Sequence, residues 1–382
     1  MKPSPFNEHE PLLPSRIACD ERIVLTLDAG GTNFAFSALQ RGAPVGESCV
    51  LPACGDDLDA SLKNLVAGFE KVIASLPSPP AAISFAFPGP ADYPSGVVFN
   101  VGNLPAYGDG VPIGPLLEER FGLRTFLNND GDLFTLGEAV GGLLPAINEQ
   151  LASVGAEHRC RHLFGVTLGT GLGGGLVVDG RLCAGDNNAA AEIWRLRGGE
   201  SNDLLAEEDA SIRAVRTSYA HGVGIDAASA PQPAEIYEIA RGEADGDQHA
   251  AAAAFEDLGR AVGEVVATAT CLVDPVVVIG GGLSGAADVF MPALLESLNQ
   301  PLSRRDGETL PRLGHAAFDL TTEAGIDAFA RRETRRVAVP GSSRTVACRT
   351  KPCLGVGVSR LGANRAAWLG AYAFAIQQLD DT

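Results

Sequence analysis

Two strand–glycine turn–strand units constrain this chain more than any other feature. In the first, the apolar, β-branched run Arg22-Ile23-Val24-Leu25-Thr26-Leu27 reads as a buried strand, and Phe34-Ala35-Phe36-Ser37-Ala38-Leu39 reads as its return. Between them lies Asp28-Ala29-Gly30-Gly31-Thr32-Asn33. In the second, Leu163-Phe164-Gly165-Val166-Thr167-Leu168 leads into Gly169-Thr170-Gly171-Leu172-Gly173-Gly174-Gly175, and Leu176-Val177-Val178 returns. Glycines let a backbone turn tightly and aim its N–H groups at an anion with no Cβ in the way. Asp28 adds a carboxylate beside the first turn, where a metal–phosphate complex could sit. Either turn alone is equally well an ordinary hairpin. Their repetition predicts a duplicated architecture with a ligand cleft between its halves.

The remaining pattern alternates strands and helices. A helix is expected over about Asp57 to Ser75, a strand over Ala81 to Phe87 stopped by Pro88-Gly89-Pro90, and a short helix over Leu116 to Phe121. The strand Arg124-Thr125-Phe126-Leu127 ends at Asn128-Asn129-Asp130-Gly131, and a helix over Leu133 to Val140 leads into the second region. There an alanine-rich helix spans about Gln248 to Cys271. The strand Val276-Val277-Val278-Ile279 then runs into Gly280-Gly281-Gly282-Leu283-Ser284-Gly285, with a helix over Ala286 to Leu298. The stretch 304–352 is rich in proline and arginine and shows only two strands, Arg336–Val339 and Thr345–Cys348. An alanine-rich helix, Asn364 to Gln378, closes the chain.

At 382 residues there is room for two domains, each with its own core. A formal net charge of -18 opposes sequence-independent binding to nucleic acid, yet leaves a small anionic ligand free to find a local site. No apolar run reaches the length of a membrane span, and the start lacks a signal-peptide core, so a cytoplasmic protein is expected. Residues 1–21 read as a loose arm. The eight cysteines are scattered, which fits reduced thiols better than a disulfide framework.

Gly169-x-Gly171-x-x-Gly174 and Gly280-x-Gly282-x-x-Gly285 both match the dinucleotide fingerprint. That fingerprint needs a strand before it and a helix after it, and the first loop is followed by a strand. No Gly-x4-Gly-Lys-Ser/Thr occurs, so a P-loop is excluded. Three glycine loops, two of them on strand–turn–strand units, read best as phosphate cradles.

As a set these residues resemble the sugar kinases of the repressor–open reading frame–kinase (ROK) family, within the actin/hexokinase-like superfamily. Asp28-Ala29-Gly30-Gly31-Thr32-Asn33 is similar to that superfamily's first phosphate motif, and Thr167-Leu168-Gly169-Thr170-Gly171-Leu172-Gly173-Gly174 to its second. Ile279-Gly280-Gly281-Gly282-Leu283 resembles its adenosine motif. Pro88-Gly89-Pro90, Asn103-Leu104-Pro105, Asn129-Asp130 and the closing helix, Leu361 to Ala371, follow the family's order. The likeness runs from about residue 22 to 375 and lapses over 304–352.

The resemblance implies an α/β fold of two RNase H-like domains flanking a central cleft, a smaller one over 22–132 plus 364–382 and a larger one over 133–363. It implies ATP and Mg²⁺ as cofactors, with Asp28 facing the metal indirectly. Nucleotide contacts would come from Asp28, Gly30, Gly31, Thr32, Asn33, Thr167, Gly169, Thr170, Gly171, Gly280, Gly281 and Gly282. Asp130 matches the catalytic base, since a carboxylate there can accept the sugar hydroxyl proton. Gly89, Asn103, Asn129, Asp130, Glu192 and Glu207 match sugar contacts, and the family also implies a homodimer.

One element departs. The family's Glu-x-Gly-His stands here as Glu192-Ile193-Trp194-Arg195, and the stretch that carries zinc-binding cysteines in many members is Gly198-Gly199-Glu200-Ser201-Asn202-Asp203-Leu204-Leu205. Histidine and cysteines are both replaced, so no structural zinc is expected. Arg195 either faces solvent or turns into the cleft to read an anionic substituent.

A hexose or hexose-derivative kinase is the leading expectation. A sugar-responsive repressor needs a helix-turn-helix domain ahead of Asp28, and the segment before Arg22 is too short to be one. A sugar-binding protein that has lost catalysis stays open because of Trp194-Arg195, although Asp28, Asp130 and both glycine loops speak for phosphate chemistry.

Overall fold

The computed structural model describes residues 14–100, 102, 104–156, 158–198, 203–331, 334–350 and 352–381. The chain divides into two compact units. One holds the described residues up to 145 together with 175–191 and 360–381, and the other holds 146–174 and 192–359.

The first unit is built on β1 (Ile23–Ala29), β2 (Asn33–Gln40), β3 (Ala82–Ala86) and β4 (Arg124–Asn128). Their order is β2-β1-β3-β4, with β1/β2 antiparallel and the other two pairs parallel. Antiparallel β2 needs only the Gly30–Thr32 turn, whereas each parallel step needs a crossover. One crossover carries the helix Leu58–Ala74, which Asp57 caps by accepting the Ala60 N–H at 3.1 Å. Its Leu65, Phe69 and Val72 are buried with Phe34, Phe36 and Phe85. The chain then forms α1 (Asp130–Gly141), which packs on the closing helix Ala363–Asp380. Glycines make that approach close: a Cβ on Gly137 would overlap the Ala366 carbonyl, and one on Gly370 the Leu133 carbonyl.

The expected boundary at 132/133 cuts through α1, whereas the helix lies whole in the first unit with residues up to 145. The expected loose arm is corrected over 14–21. Ile17 on the helical turn Ser15–Ala18 is buried, and the Tyr372 hydroxyl donates to the carbonyls of Asp20 and Arg22, both at 3.3 Å. Residues 1–13 lie outside the described residues.

The second unit centres on β5 (Leu163–Leu168), the start of β6 (Leu172–Val178), β7 (Val276–Gly280), β8 (Ala316–Asp319) and β9 (Cys353–Val358), in the sheet order β6-β5-β7-β9-β8. The three pairs β5/β7, β7/β9 and β9/β8 are parallel. The 26-residue helix Gln248–Val273 packs against the helix Ala287–Asn299, where a Cβ on Gly259 would overlap the Phe290 carbonyl. Strand β6 begins at Leu172, inside the glycine run expected to be loop, so the turn shrinks to Gly169–Gly171. The stretch 304–352 supplies β8, the helix Glu323–Ala330 and an antiparallel hairpin, Thr334–Ala338 with Thr345–Arg349.

Candidate active site

Strand register brings one group of candidate residues to a single sheet edge. Asp28 of β1 lies beside Ala86 of β3, and Ala86 beside Asn128 of β4. From these positions the chain leaves the sheet at its carboxyl-terminal edge, where open α/β sheets bind ligands. The segments that emerge there are Gly30-Gly31-Thr32, Pro88-Gly89-Pro90 and Asn129-Asp130.

Asp28 is half-buried, and burial pushes its carboxyl above the usual carboxylate range. Its Oδ2 accepts the Asn364 amide at 3.3 Å. The Gly30 N–H donates to the Asn33 carbonyl at 3.0 Å and closes the turn, leaving Gly31, Thr32 and Asn33 exposed. Gly89 is exposed, with the Tyr93 hydroxyl 3.1 Å from where its Cβ would be.

Asp130 is the first residue of α1 rather than part of a free turn, and the helix begins three residues ahead of the expected Leu133. Asn129 caps it by accepting the Gly131 N–H at 2.8 Å, and Asp130 Oδ1 accepts the same N–H at 2.9 Å. Asp130 and Asp132 put acid in the first turn, where the helix dipole favours it. Asp130 is exposed and Asn129 half-buried. Asn103 lies outside the described residues.

A second group meets in the other unit. Thr167 of β5 lies beside Gly280 of β7, so the Gly169–Gly171 turn and Gly281-Gly282 leave the sheet side by side. Two bonds hold the turn from outside: the Ile212 N–H donates to the Gly169 carbonyl at 2.8 Å, and Glu207 Oε2 accepts the Leu172 N–H at 3.0 Å. Glu207, expected as a sugar contact, is thus bonded to the second glycine motif itself.

The glycines sort by what a Cβ would meet. On Gly171 it would overlap the Glu207 carboxylate, and on Gly173 the Thr167 hydroxyl. Gly281, at φ +86°, backs onto the Leu168 main chain. Those positions are glycine for packing. At Gly169 and Gly282 a Cβ would meet nothing within 4 Å, which leaves space for a ligand. Thr170 is exposed.

Glu192 is half-buried, and its Oε2 accepts the Trp194 indole N–H. Arg195 is exposed, with its guanidinium 4.3 Å from the Trp194 ring centroid. A short antiparallel ladder ties this element to Glu207: Gly198 N–H to the Leu204 carbonyl and Ala206 N–H to the Leu196 carbonyl, both at 2.8 Å. Residues 199–202 lie outside the described residues.

Sequence reasoning missed Asn364 as a partner of Asp28, and it missed Glu138. The Glu138 side chain is fully buried. Its Oε2 accepts the Leu143 N–H at 2.7 Å, and Oε1 accepts those of Arg360 and Leu361 at 3.1 and 3.0 Å. A lone glutamate in the apolar pattern of a helix was the available signal.

A family model described as the ROK family matches residues 24–319. The chain belongs to the ROK family. A glucokinase from Parabacteroides distasonis shares 47% identity over 94% of this chain and 99% of its own, with a TM-score of 0.85. The α/β fold is therefore that of ROK proteins in the actin/hexokinase-like superfamily. Among curated ROK relatives, an N-acetyl-D-glucosamine kinase from Vibrio cholerae is 33% identical over 44% of this chain and 51% of its own. A glucokinase from Thermotoga maritima is 27% identical over 56% and 68%. The chain spans about half to two thirds of the length of most of these curated relatives.

Proposed function

We propose that this protein phosphorylates a hydroxyl of a hexose or hexose derivative, with ATP as donor and Asp130 as general base. The observation that carries the reading is the register that lines up Asp28, Ala86 and Asn128, so that a half-buried carboxylate, an exposed glycine turn and Asn129-Asp130 share one sheet edge. Kinship with a glucokinase and N-acetylglucosamine kinases supports sugar as the substrate class.

Each residue has a part in that reaction. Asp130 is exposed at the start of α1 and accepts the proton of the attacking hydroxyl, help worth ~10²–10⁴ in rate. Asn129, Gly89 and Asn103 orient the sugar, and an amide can both donate to and accept from neighbouring hydroxyls. In one unit Gly31-Thr32-Asn33, and in the other Thr170-Gly171, each offer backbone N–H groups to phosphate oxygens, and Gly280–Gly282 flanks the adenosine. That a Cβ at Gly169 or Gly282 would meet nothing within 4 Å is compatible with a ligand approaching the backbone there. Asp28 fits Mg²⁺: burial leaves its charge poorly solvated, and a cation relieves that cost. Bound there, Mg²⁺ would supply charge neutralisation on the transferring phosphate.

An ADP-release assay over a panel of hexoses and N-acetylhexosamines, run beside Asp130→Asn, tests the reading. We expect ADP release with at least one sugar, and a loss of ~10² or more in kcat in the variant with little change in calorimetric sugar affinity. Sugar binding with no ADP release in the wild type would favour a binding protein that has lost catalysis.

A further inference from the structure

The turn Pro88-Gly89-Pro90 cannot hold its own shape by hydrogen bonding, because proline carries no N–H and Gly89 supplies the turn's single donor. Two groups from outside hold its flanks instead. The Tyr93 hydroxyl donates to the Phe87 carbonyl at 3.1 Å, and the Phe99 N–H donates to the Pro90 carbonyl at 2.8 Å. The Phe87 N–H in turn donates to the Asn128 carbonyl at 3.1 Å, one residue ahead of Asn129-Asp130. The Gly89 N–H has no hydrogen-bond partner among the described residues. Gly89 lies outside the left-handed region, so space rather than backbone freedom is the reason for glycine there. What takes up that space is the Tyr93 hydroxyl, 3.1 Å from where a Cβ would stand.

We propose that Tyr93 is a positioning residue for sugar: its hydroxyl fixes the turn so that the Gly89 N–H meets a sugar oxygen, and Gly89 is glycine to admit that hydroxyl. The proposal rests on the reading of Gly89 as a sugar contact. Tyr93 is built for the part. Its ring packs against the buried core of the first unit, so the hydroxyl comes from a fixed base. Its carbonyl accepts the Gly96 N–H at 3.1 Å, which closes the hairpin Ala91–Asp92/Val97–Val98 behind the turn. Phenylalanine has the same ring and no donor, so Tyr93→Phe deletes the bond to Phe87 and keeps the packing. The hydroxyl's contacts with Phe87 and Gly89 both belong to the sugar turn, so the loss falls on sugar and spares ATP.

Sugar KM, ATP KM and Tm of Tyr93→Phe, Gly89→Ala and the double variant test the assignment. Tyr93→Phe should raise sugar KM roughly 3–10-fold, the worth of one hydrogen bond, with ATP KM within about twofold of wild type. A bond that served folding alone would lower Tm and leave both KM values in place, and that result overturns the proposal. Gly89→Ala should raise sugar KM as well, because its Cβ displaces the hydroxyl. Tyr93→Phe makes room for that Cβ, so the double variant should be no worse than the poorer single. Effects that multiply overturn the proposal. If the wild type releases no ADP, the kinase reading fails by itself, and calorimetric sugar Kd must show the same ranking of variants. A sugar Kd that Tyr93→Phe leaves unmoved overturns the proposal, and a wild type that binds no sugar of the panel overturns both.

Discussion

The Glu207 carboxylate accepts the Leu172 N–H at 3.0 Å, and the adjacent Gly171 has no Cβ because that carboxylate occupies its place. A side chain expected to read sugar thereby braces the glycine turn proposed to hold phosphate. Glu207→Ala should raise KM for ATP more than KM for sugar, and Glu207→Gln, which keeps an acceptor oxygen, should restore most of the loss. Gly171→Ala displaces the same carboxylate. The double variant Gly171→Ala/Glu207→Ala should therefore lose less than the sum of the singles, with a coupling of about 0.5–3 kcal/mol. A sugar KM that moves alone would return Glu207 to the sugar.

Asp28 carries a charge that burial disfavours. Its folded pKa lies above its unfolded one, so the ionised group costs stability once pH exceeds the unfolded value. Asp28→Asn should raise Tm at neutral pH, and the gain should vanish in acid, where both states carry a protonated Asp28. Turnover should fall roughly 10–100-fold, as for a residue acting on a metal through its outer shell. A Tm gain that persists unchanged in acid would remove burial as the cause.

Glu138 ties the end of α1 to the chain on both sides, through the N–H groups of Leu143, Arg360 and Leu361. Glu138→Ala strands one buried donor, the Leu143 N–H, and two half-buried ones, and should cost roughly 3 kcal/mol by denaturant unfolding. Glu138→Gln keeps one acceptor and turns a donor toward donors, so it should fall between. Unfolding curves that superimpose on wild type would refute the count of bonds.

Arg195 is exposed and stacked on Trp194, which in turn donates to Glu192. Arg195→Ala should leave KM for the best sugar within about twofold and cost at most about 0.5–1 kcal/mol of stability, the worth of an exposed cation–π contact. Trp194→Phe frees the Glu192 carboxylate and should shift sugar KM more than Arg195→Ala does. The reverse order would put the guanidinium on the substrate.

Much of the frame was legible because it is local. Alternating apolar runs and glycine pairs specify β1–turn–β2 and the β5 strand within a few residues, and Asp57 announces its helix by capping chemistry. The hairpin at 334–349 also showed in the pattern, with its strands shifted by one or two residues.

Long-range packing decided the rest. Glu207 and Leu172 are 35 residues apart, and Asp28 and Asn364 are 336 apart, so no sequence window holds either pair. Sequence names every glycine of a loop alike. Only the neighbours brought up by the fold separate Gly171 and Gly281, which a protein atom crowds, from Gly169 and Gly282, which face open space. Composition likewise set a net charge of -18, but which carboxylate is desolvated, which is bonded to backbone and which is free to take a proton follows from burial. Burial is a property of the folded surface, because the cost of a charge depends on the dielectric around it and not on its neighbours in sequence.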